Sequence, residues 1–191
     1  MFHTDELNSV GVYAAELFLL GLPITVVIDD YLPMDVDSPS KTFYAKVPDD
    51  GAMWGLLFEK LAAKFYGNYE VIDGGESSEG VEVMTGAPYK DYLHESTKNS
   101  SSKKATFWTD LLATATNKSS IVGNTFDGND DDGNDVGIAY GHAYSIKRAL
   151  TVTDASGTDH KLVECRNPWG EETFKGDWSD SSSLWTDDLF S

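Results

Sequence analysis

The stretch "GHAYSIKRALTVTDASGTDHKLVECRN" (residues 141–167) decides the fold of the second part of this chain. Its two ends, residues 141–152 and 160–167, have strand-like composition, and the connection "TDASGTD" is rich in turn-forming residues. This arrangement predicts an antiparallel hairpin. Because the far ends of a hairpin meet, we expect His142, at the start of the first strand, to lie close to Asn167, at the end of the second.

A histidine beside an asparagine is an arrangement with a known chemical use. The asparagine side chain accepts the imidazole N–H and thereby fixes the tautomer of the ring, as in nucleophilic catalysis by cysteine or serine. Trp169 is placed to cover the pair and exclude water, which strengthens such a hydrogen bond. From the pattern alone, a structural role for His142 and Asn167 stays open as the alternative.

Composition excludes several classes of function. The chain has 191 residues and a formal net charge of −18, so it lacks the basic face that nucleic acids and anionic membranes require. Its single cysteine, Cys165, cannot form an internal disulfide, which favours a reducing compartment, and we expect a cytoplasmic protein. The N-terminus lacks the basic segment of a signal peptide, and no apolar run is long enough to span a membrane.

The rest of the chain predicts one α+β domain over residues 1–191. "LPITVVIDDYLP" (22–33) predicts a buried strand centred on Ile24 to Ile28, and "TFYAKV" (42–47) predicts a second strand. Apolar residues at helical spacing predict a helix within 48–67, capped by Asp49 or Asp50 and by Gly67. Its expected core stripe is Trp54, Leu57, Phe58, Leu61 and Phe65.

Four further segments complete the expected fold. Residues 68–86 predict a short strand, a glycine turn and a short helix, and residues 101–117 predict a polar linker followed by a helix. Residues 120–126 are strand-like, whereas residues 126–137 form a loop with five aspartates. This loop does not fit an EF-hand, because the sixth and twelfth positions counted from Asp127 lack the required glycine and glutamate. We expect it to be disordered, since like charges repel and glycines loosen the backbone.

Several separated motifs, in order, resemble the second half of the calpain cysteine-protease core. They are "VVIDDYLP", "MWGLLFEKLAAKFYGNYEVIDGGESSEGVEVMTG", "GHAYSI", "LVECRNPWGE" and "WSD", and they extend from about residue 10 to residue 185. The resemblance implies a papain-like second lobe, a twisted and mainly antiparallel sheet with flanking helices. It also implies that His142 and Asn167 are catalytic and that Trp169 shields their hydrogen bond. Gly75 and Gly141 would contact the backbone of a bound peptide.

The resemblance also implies that the nucleophile lies outside this chain. In papain-like enzymes the catalytic cysteine precedes the histidine by a long stretch, and residues 1–141 contain no cysteine. Cys165 follows His142 in the chain, and we expect it to pack as a small apolar group. The implied partner is a first half of the core that carries the cysteine, and the isolated chain is expected to be inactive.

Classical calpains bind calcium in this half, which makes calcium the implied cofactor of the full-length protein. Asp180 in "WSD" matches one ligand position, whereas the other nearby position holds Thr173, which has no carboxylate. Calcium takes six to eight oxygen ligands, so the site is incomplete in this chain.

Three functions therefore remain. The leading hypothesis is the histidine–asparagine half of a calpain-like cysteine endopeptidase that acts on protein substrates. The second is a non-catalytic calpain-like module that binds peptides or regulates. The third is an acidic calcium-binding or scaffold protein. A glutamine followed by a cysteine in the first half would favour the protease, and a substituted cysteine would favour the binding module.

Overall fold

The computed structural model describes residues 2–3, 6–38, 41–117, 119–125, 128–129, 132–154, 156–186 and 189, without the side chains of residues 95 and 96. The chain divides into two compact units, Met1–Tyr89 and Lys90–Ser191. The expectation of a single domain over residues 1–191 stays a prediction. None of the helices in the described residues combines the length and the apolar character needed to span a membrane.

The first unit is built on a β-hairpin. Strands β1 (Val12–Leu19) and β2 (Leu22–Asp29) pair antiparallel. Alternate side chains enter the core, as the two-residue period of a strand requires, and these are Tyr13, Ala15, Leu17, Val26 and Ile28. The expected strand at residues 22–33 is confirmed, but it is not buried on both sides, since the hairpin has only one covered face.

Helix α1 (Trp54–Tyr66) covers that face through Leu57 and Leu61. The sequence predicts this helix correctly and also its end at Gly67, whose N–H donates to the Ala63 carbonyl. Two details are wrong. Trp54 is 63% exposed and outside the core, and no aspartate caps the helix, because the Asp50 carboxylate accepts the Ala52 N–H within a preceding turn.

Two short helical segments complete the first unit, a 3₁₀ helix at Glu70–Ile72 and α2 (Ser77–Thr85). The sequence predicts α2 correctly, but the prediction of a strand before it is wrong, because that segment holds the 3₁₀ helix. The strand expected at residues 42–47 is also absent from the described residues there, because side chains take its backbone groups. The Glu59 carboxylate accepts the Ala45 N–H, and the Thr42 hydroxyl donates to the Ala45 carbonyl.

The second unit combines two helices with a three-stranded antiparallel sheet. The helices are α3 (His94–Thr97) and α4 (Ser101–Thr116), and the strands are β3 (Val122–Asn124), β4 (Ala143–Thr153) and β5 (Asp159–Arg166). The strand order is β3–β4–β5, and α4 packs against β4. The hairpin expected from residues 141–167 is confirmed, whereas the expected linker at the start of residues 101–117 belongs to α4. The α+β class is therefore confirmed.

Candidate active site

His142 lies at the joint between a loop and strand β4, one residue before the strand begins. It is a buried polar residue with 9% of its surface exposed. Aromatic rings flank the imidazole and account for this burial. The Trp169 ring lies 4.5 Å from it, centroid to centroid, and the Tyr144 ring meets it edge to face at 4.8 Å.

The imidazole makes one side-chain hydrogen bond, from its Nε2 to the Asn167 Oδ1 at 2.9 Å. The hairpin therefore brings together the two residues that the sequence pairs. The same Oδ1 accepts the backbone N–H of Trp169 at 3.1 Å. A flipped amide would oppose its NH₂ group to that N–H, so the oxygen must face both partners. Since an amide oxygen only accepts, Nε2 carries the proton in the neutral ring, and Nδ1 keeps a lone pair.

A tight turn directs Trp169 over the histidine. The Gly170 N–H donates to the Asn167 carbonyl at 3.0 Å. Pro168 occupies the second position of this turn, where its fixed φ suits the geometry. The Trp169 side chain remains 45% exposed, so it covers one side of the imidazole and presents its other face to solvent. Among the described residues, none hydrogen-bonds to His142 Nδ1, and this nitrogen is the one available for proton transfer.

Two residues that the sequence analysis missed hold this site. The Thr125 hydroxyl accepts the His142 N–H at 2.9 Å. The Tyr144 hydroxyl accepts the Ala139 N–H at 3.0 Å, while its ring packs against His142. Tyr144 is detectable in sequence, because it stands two residues from His142 and shares its side of the strand. Thr125 has no local signal, since its role depends on which strand pairs with β4.

The two glycines predicted to contact substrate differ in their surroundings. Gly141 has φ +53, and a Cβ added to it would lie 2.4 Å from the Gly128 carbonyl oxygen. Glycine is therefore required at this position by the protein's own packing. Gly75 lies in the first unit before α2, and an added Cβ would meet no atom within 4 Å. The open space around Gly75 leaves room for another backbone to approach.

The described part of the acidic loop makes hydrogen bonds within itself and to a neighbouring segment, and the expected disorder of the loop stays a prediction. Gly133 and Ala139 form an isolated antiparallel bridge, and the Asn134 side chain accepts the N–H groups of Val136 and Ile138. The Lys175 N–H donates to the Val136 carbonyl at 2.8 Å and ties the loop to the segment after the tryptophan turn. Asp127, Asp130 and Asp131 of this loop lie outside the described residues.

Cys165 lies on β5, two residues before Asn167. It pairs with Ile146 across β4 and β5. Although the residue as a whole is exposed, burial of the sulfur raises the pKa of the Cys165 thiol, with the Glu164 carboxylate as a second cause. A smaller fraction of Cys165 is therefore present as thiolate at neutral pH, which is the opposite of what a nucleophile needs.

The described residues around Asp180 do not fit a calcium ion. The Glu172 carboxylate is engaged within the chain, where its Oε1 accepts the Asp180 N–H at 2.9 Å. The Thr173 carbonyl oxygen is packed against Gly137, 1.8 Å from where a Cβ would stand. Across the described part of the chain, no group of three or more His, Cys, Asp or Glu side chains is arranged to hold a metal.

Comparison with known proteins places the chain in one family. The model of the calpain family of cysteine proteases matches residues 2–188. The chain is 33% identical over 186 residues to calpain-type cysteine protease DEK1 of Arabidopsis thaliana, covering 96% of this chain and 8% of that protein. It is 34% identical over 176 residues to calpain-14 of Homo sapiens, covering 92% of this chain, and 33% identical over 181 residues to the calpain-1 catalytic subunit of Mus musculus, covering 92%. The chain spans 24% of each of these two animal proteins.

Proposed function

This chain belongs to the calpain family of cysteine proteases, and from that premise we propose that it is the histidine–asparagine half of the protease core of a calpain-like cysteine endopeptidase. The observation that carries the proposal is the 2.9 Å contact between His142 Nε2 and Asn167 Oδ1. With its Nε2 proton fixed by Asn167, the neutral imidazole presents Nδ1 as a base.

The chemistry is peptide-bond hydrolysis by a thiolate that another part of the core supplies. His142 Nδ1 takes the proton of that cysteine, and the sulfur then attacks the carbonyl carbon of the scissile bond. The imidazolium returns its proton to the leaving amine as the C–N bond breaks, which leaves an acyl-enzyme. His142 then takes a proton from water, whose oxygen attacks the thioester and releases the acid and the thiol.

The remaining site residues support this cycle. The Trp169 ring over the imidazole limits the access of water to the His142–Asn167 hydrogen bond, which is stronger in a less polar environment. Gly141, directly before His142, and Gly75 are proposed to contact the backbone of an extended peptide substrate, where a glycine permits close approach. Cys165 takes no part, because its thiol pKa is raised and it follows His142 in the chain, whereas the nucleophile of papain-like enzymes precedes it.

Calcium and location belong to the same proposal. We propose that calcium acts on the full-length protein, but the described residues around Asp180 do not fit the ion, so Asp180 by itself does not hold it. The cytoplasmic location inferred from the single cysteine stays a prediction.

A chimeric protease tests the proposed function. Residues 2–188 replace the aligned segment of the mouse calpain-1 catalytic subunit, so that the relative supplies its own first half. Hydrolysis of a fluorogenic peptide is measured with and without calcium. We expect turnover that His142→Ala abolishes and that Asn167→Ala reduces. His160→Ala is the matched control, because this second histidine pairs with Asp154 on another part of the sheet and should leave turnover unchanged.

The isolated chain provides the complementary measurement. It should show no turnover above blank, and Cys165→Ala should change nothing. A chimera that is folded by circular dichroism and yet inactive, beside an active parent enzyme, would favour the non-catalytic peptide-binding module. Turnover by the isolated chain that disappears in Cys165→Ala would overturn both the missing-nucleophile proposal and the inert role of Cys165.

A further inference from the structure

The β3–β4 ladder ends in an unusual way next to His142. Its regular pairs end with Asn124 opposite Ala143, so the next pair is Thr125 and His142. The Thr125 N–H still donates to the His142 carbonyl at 2.9 Å, as in a regular ladder. In the reverse direction, the His142 N–H donates to the Thr125 hydroxyl at 2.9 Å and not to a backbone carbonyl. The hydroxyl therefore takes the place of the ladder's next acceptor.

The same hydroxyl also donates to the backbone of His142. Thr125 Oγ1 lies 3.1 Å from the His142 carbonyl oxygen, so the hydroxyl accepts from one backbone group of this residue and donates to the other. The residue is half-buried, which protects both bonds from competing water. Together with the Thr125 N–H, three hydrogen bonds from one threonine hold one residue.

The position of His142 explains why such a hold is needed. It lies between Gly141, which has φ +53, and the first residue of β4, so the regular strand does not fix its backbone. Asn167 likewise follows the last residue of β5. The Nε2–Oδ1 distance is 2.9 Å, and a separation of about 3.6 Å is no longer a hydrogen bond. A shift of well under 1 Å at His142 is enough to break the pair.

We propose that Thr125 is a positioning residue for His142. Its hydroxyl fixes the backbone of residue 142 and with it the direction of the Cα–Cβ bond, so that Nε2 stays on Asn167 and Nδ1 stays aimed where a thiol would lie. Tyr144 and Trp169 restrain the ring itself, whereas Thr125 restrains the residue from which the ring projects. The effect of Thr125 on catalysis rests on the proposed function, whereas its effect on the His142–Asn167 hydrogen bond does not.

Three variants separate positioning from general stability. Thr125→Val removes the hydroxyl with little change of shape, and Thr125→Ser keeps it. Thr153→Val is the matched control, because the Thr153 hydroxyl donates to Asp159 Oδ1 at 2.7 Å at the opposite end of β4. Thr153→Val loses an exposed side-chain hydrogen bond of the same sheet, without contact to His142.

The first readout is NMR of the His142 imidazole in the 191-residue chain. In Thr125→Val we expect the Nε2–H proton to exchange with solvent at least about tenfold faster and the ring ¹⁵N shifts to move towards a mixture of tautomers. Thr125→Ser and Thr153→Val should match the parent chain. Unchanged exchange and shifts in Thr125→Val would overturn the proposal. Equal changes in Thr153→Val would also overturn the proposal, because the NMR changes would then reflect a general loss of stability and not the position of His142.

The second readout is turnover in the chimeric protease. Thr125→Val should lower kcat by about ten- to a hundredfold with little change in KM, since small misplacements of a catalytic group cost rate. Thr125→Ser should keep most of the kcat of the chimera with Thr125. A chimera that is inactive in every form, while the NMR changes appear, would refute the proposed function and leave the positioning role standing. An active chimera with an unchanged kcat in Thr125→Val would refute the positioning role alone.

Discussion

Replacing Gly141 by alanine, with Gly75→Ala as its matched control, tests whether the protein's own packing requires a glycine at position 141 but not at position 75. Alanine at position 141 must adopt φ +53, which costs about 1–2 kcal/mol in the left-handed region. Its Cβ would also stand 2.4 Å from the Gly128 carbonyl oxygen, and relieving such overpacking costs about 1–3 kcal/mol. We therefore expect Gly141→Ala to lower the free energy of unfolding by about 2–5 kcal/mol.

The control is expected to change stability in the opposite direction. A Cβ at Gly75 meets no atom and needs no unusual φ, so Gly75→Ala should be neutral or more stable by about 0.4–1 kcal/mol, because alanine restricts the unfolded chain. In the chimeric protease both variants should raise KM if both glycines contact substrate.

The assay is urea unfolding combined with hydrogen exchange, since a chain with two compact units need not unfold in one step. Gly141→Ala should lose protection in peptides from β3 and β4, and Gly75→Ala should lose none. The steric argument is refuted if Gly141→Ala unfolds at the same urea concentration as the parent chain. It is also refuted if the two variants are equally destabilised.

Three further predictions use other features of the second unit. Asn167→Ala should free the His142 imidazole, so its ring ¹⁵N shifts should move towards a mixture of tautomers while stability falls by only about 0.5–1.5 kcal/mol; unchanged ring shifts would refute the pairing. Calorimetry of the isolated chain in physiological salt should show no calcium site tighter than about 0.1 mM, and a micromolar one-to-one isotherm abolished by Asp180→Ala would contradict this. The Asp154 pKa is held well below its ordinary value, first by the His160 side chain and then by Ser156 and Thr158. Ionised Asp154 therefore stabilises the fold above its unfolded-state pKa of about 4, and this contribution is lost as pH falls towards its lower folded-state pKa. Asp154→Asn lacks the contribution, so its stability should fall less than that of the parent chain between pH 5 and pH 3.

Local patterns sufficed to predict the part of the site that depends on one hairpin. Residues 141–152 and 160–167 carry strand composition around a turn, and a hairpin fixes which ends meet, so the contact of His142 with Asn167 follows from the sequence. Thr125 could not be found in this way. It is brought to His142 by pairing between β3 and β4, which are separated by the loop, and no short-range pattern encodes that pairing.

Errors in the fold arise where side chains replace backbone partners. Residues 42–47 alternate like a strand, but the Glu59 carboxylate and the Thr42 hydroxyl take the backbone groups of Ala45.

Strand β1 has no strand-like sequence pattern, because its Ala, Glu and Leu content is typical of a helix. It is nevertheless a strand because it pairs along its whole length with the β-branched residues of β2.

Gly128 and Gly141 contact each other at the two ends of the acidic loop. They meet backbone to backbone at its base, immediately before His142. Extra residues inserted after Asn129 would therefore lengthen the loop without pulling on the histidine, and each doubling of the loop adds only about 0.6 kcal/mol of closure entropy. An insertion after Asn129 is consequently a suitable place to graft a fluorophore or an affinity tag, whereas Val136 and Gly137, which contact the segment around Thr173 and Lys175, must be kept.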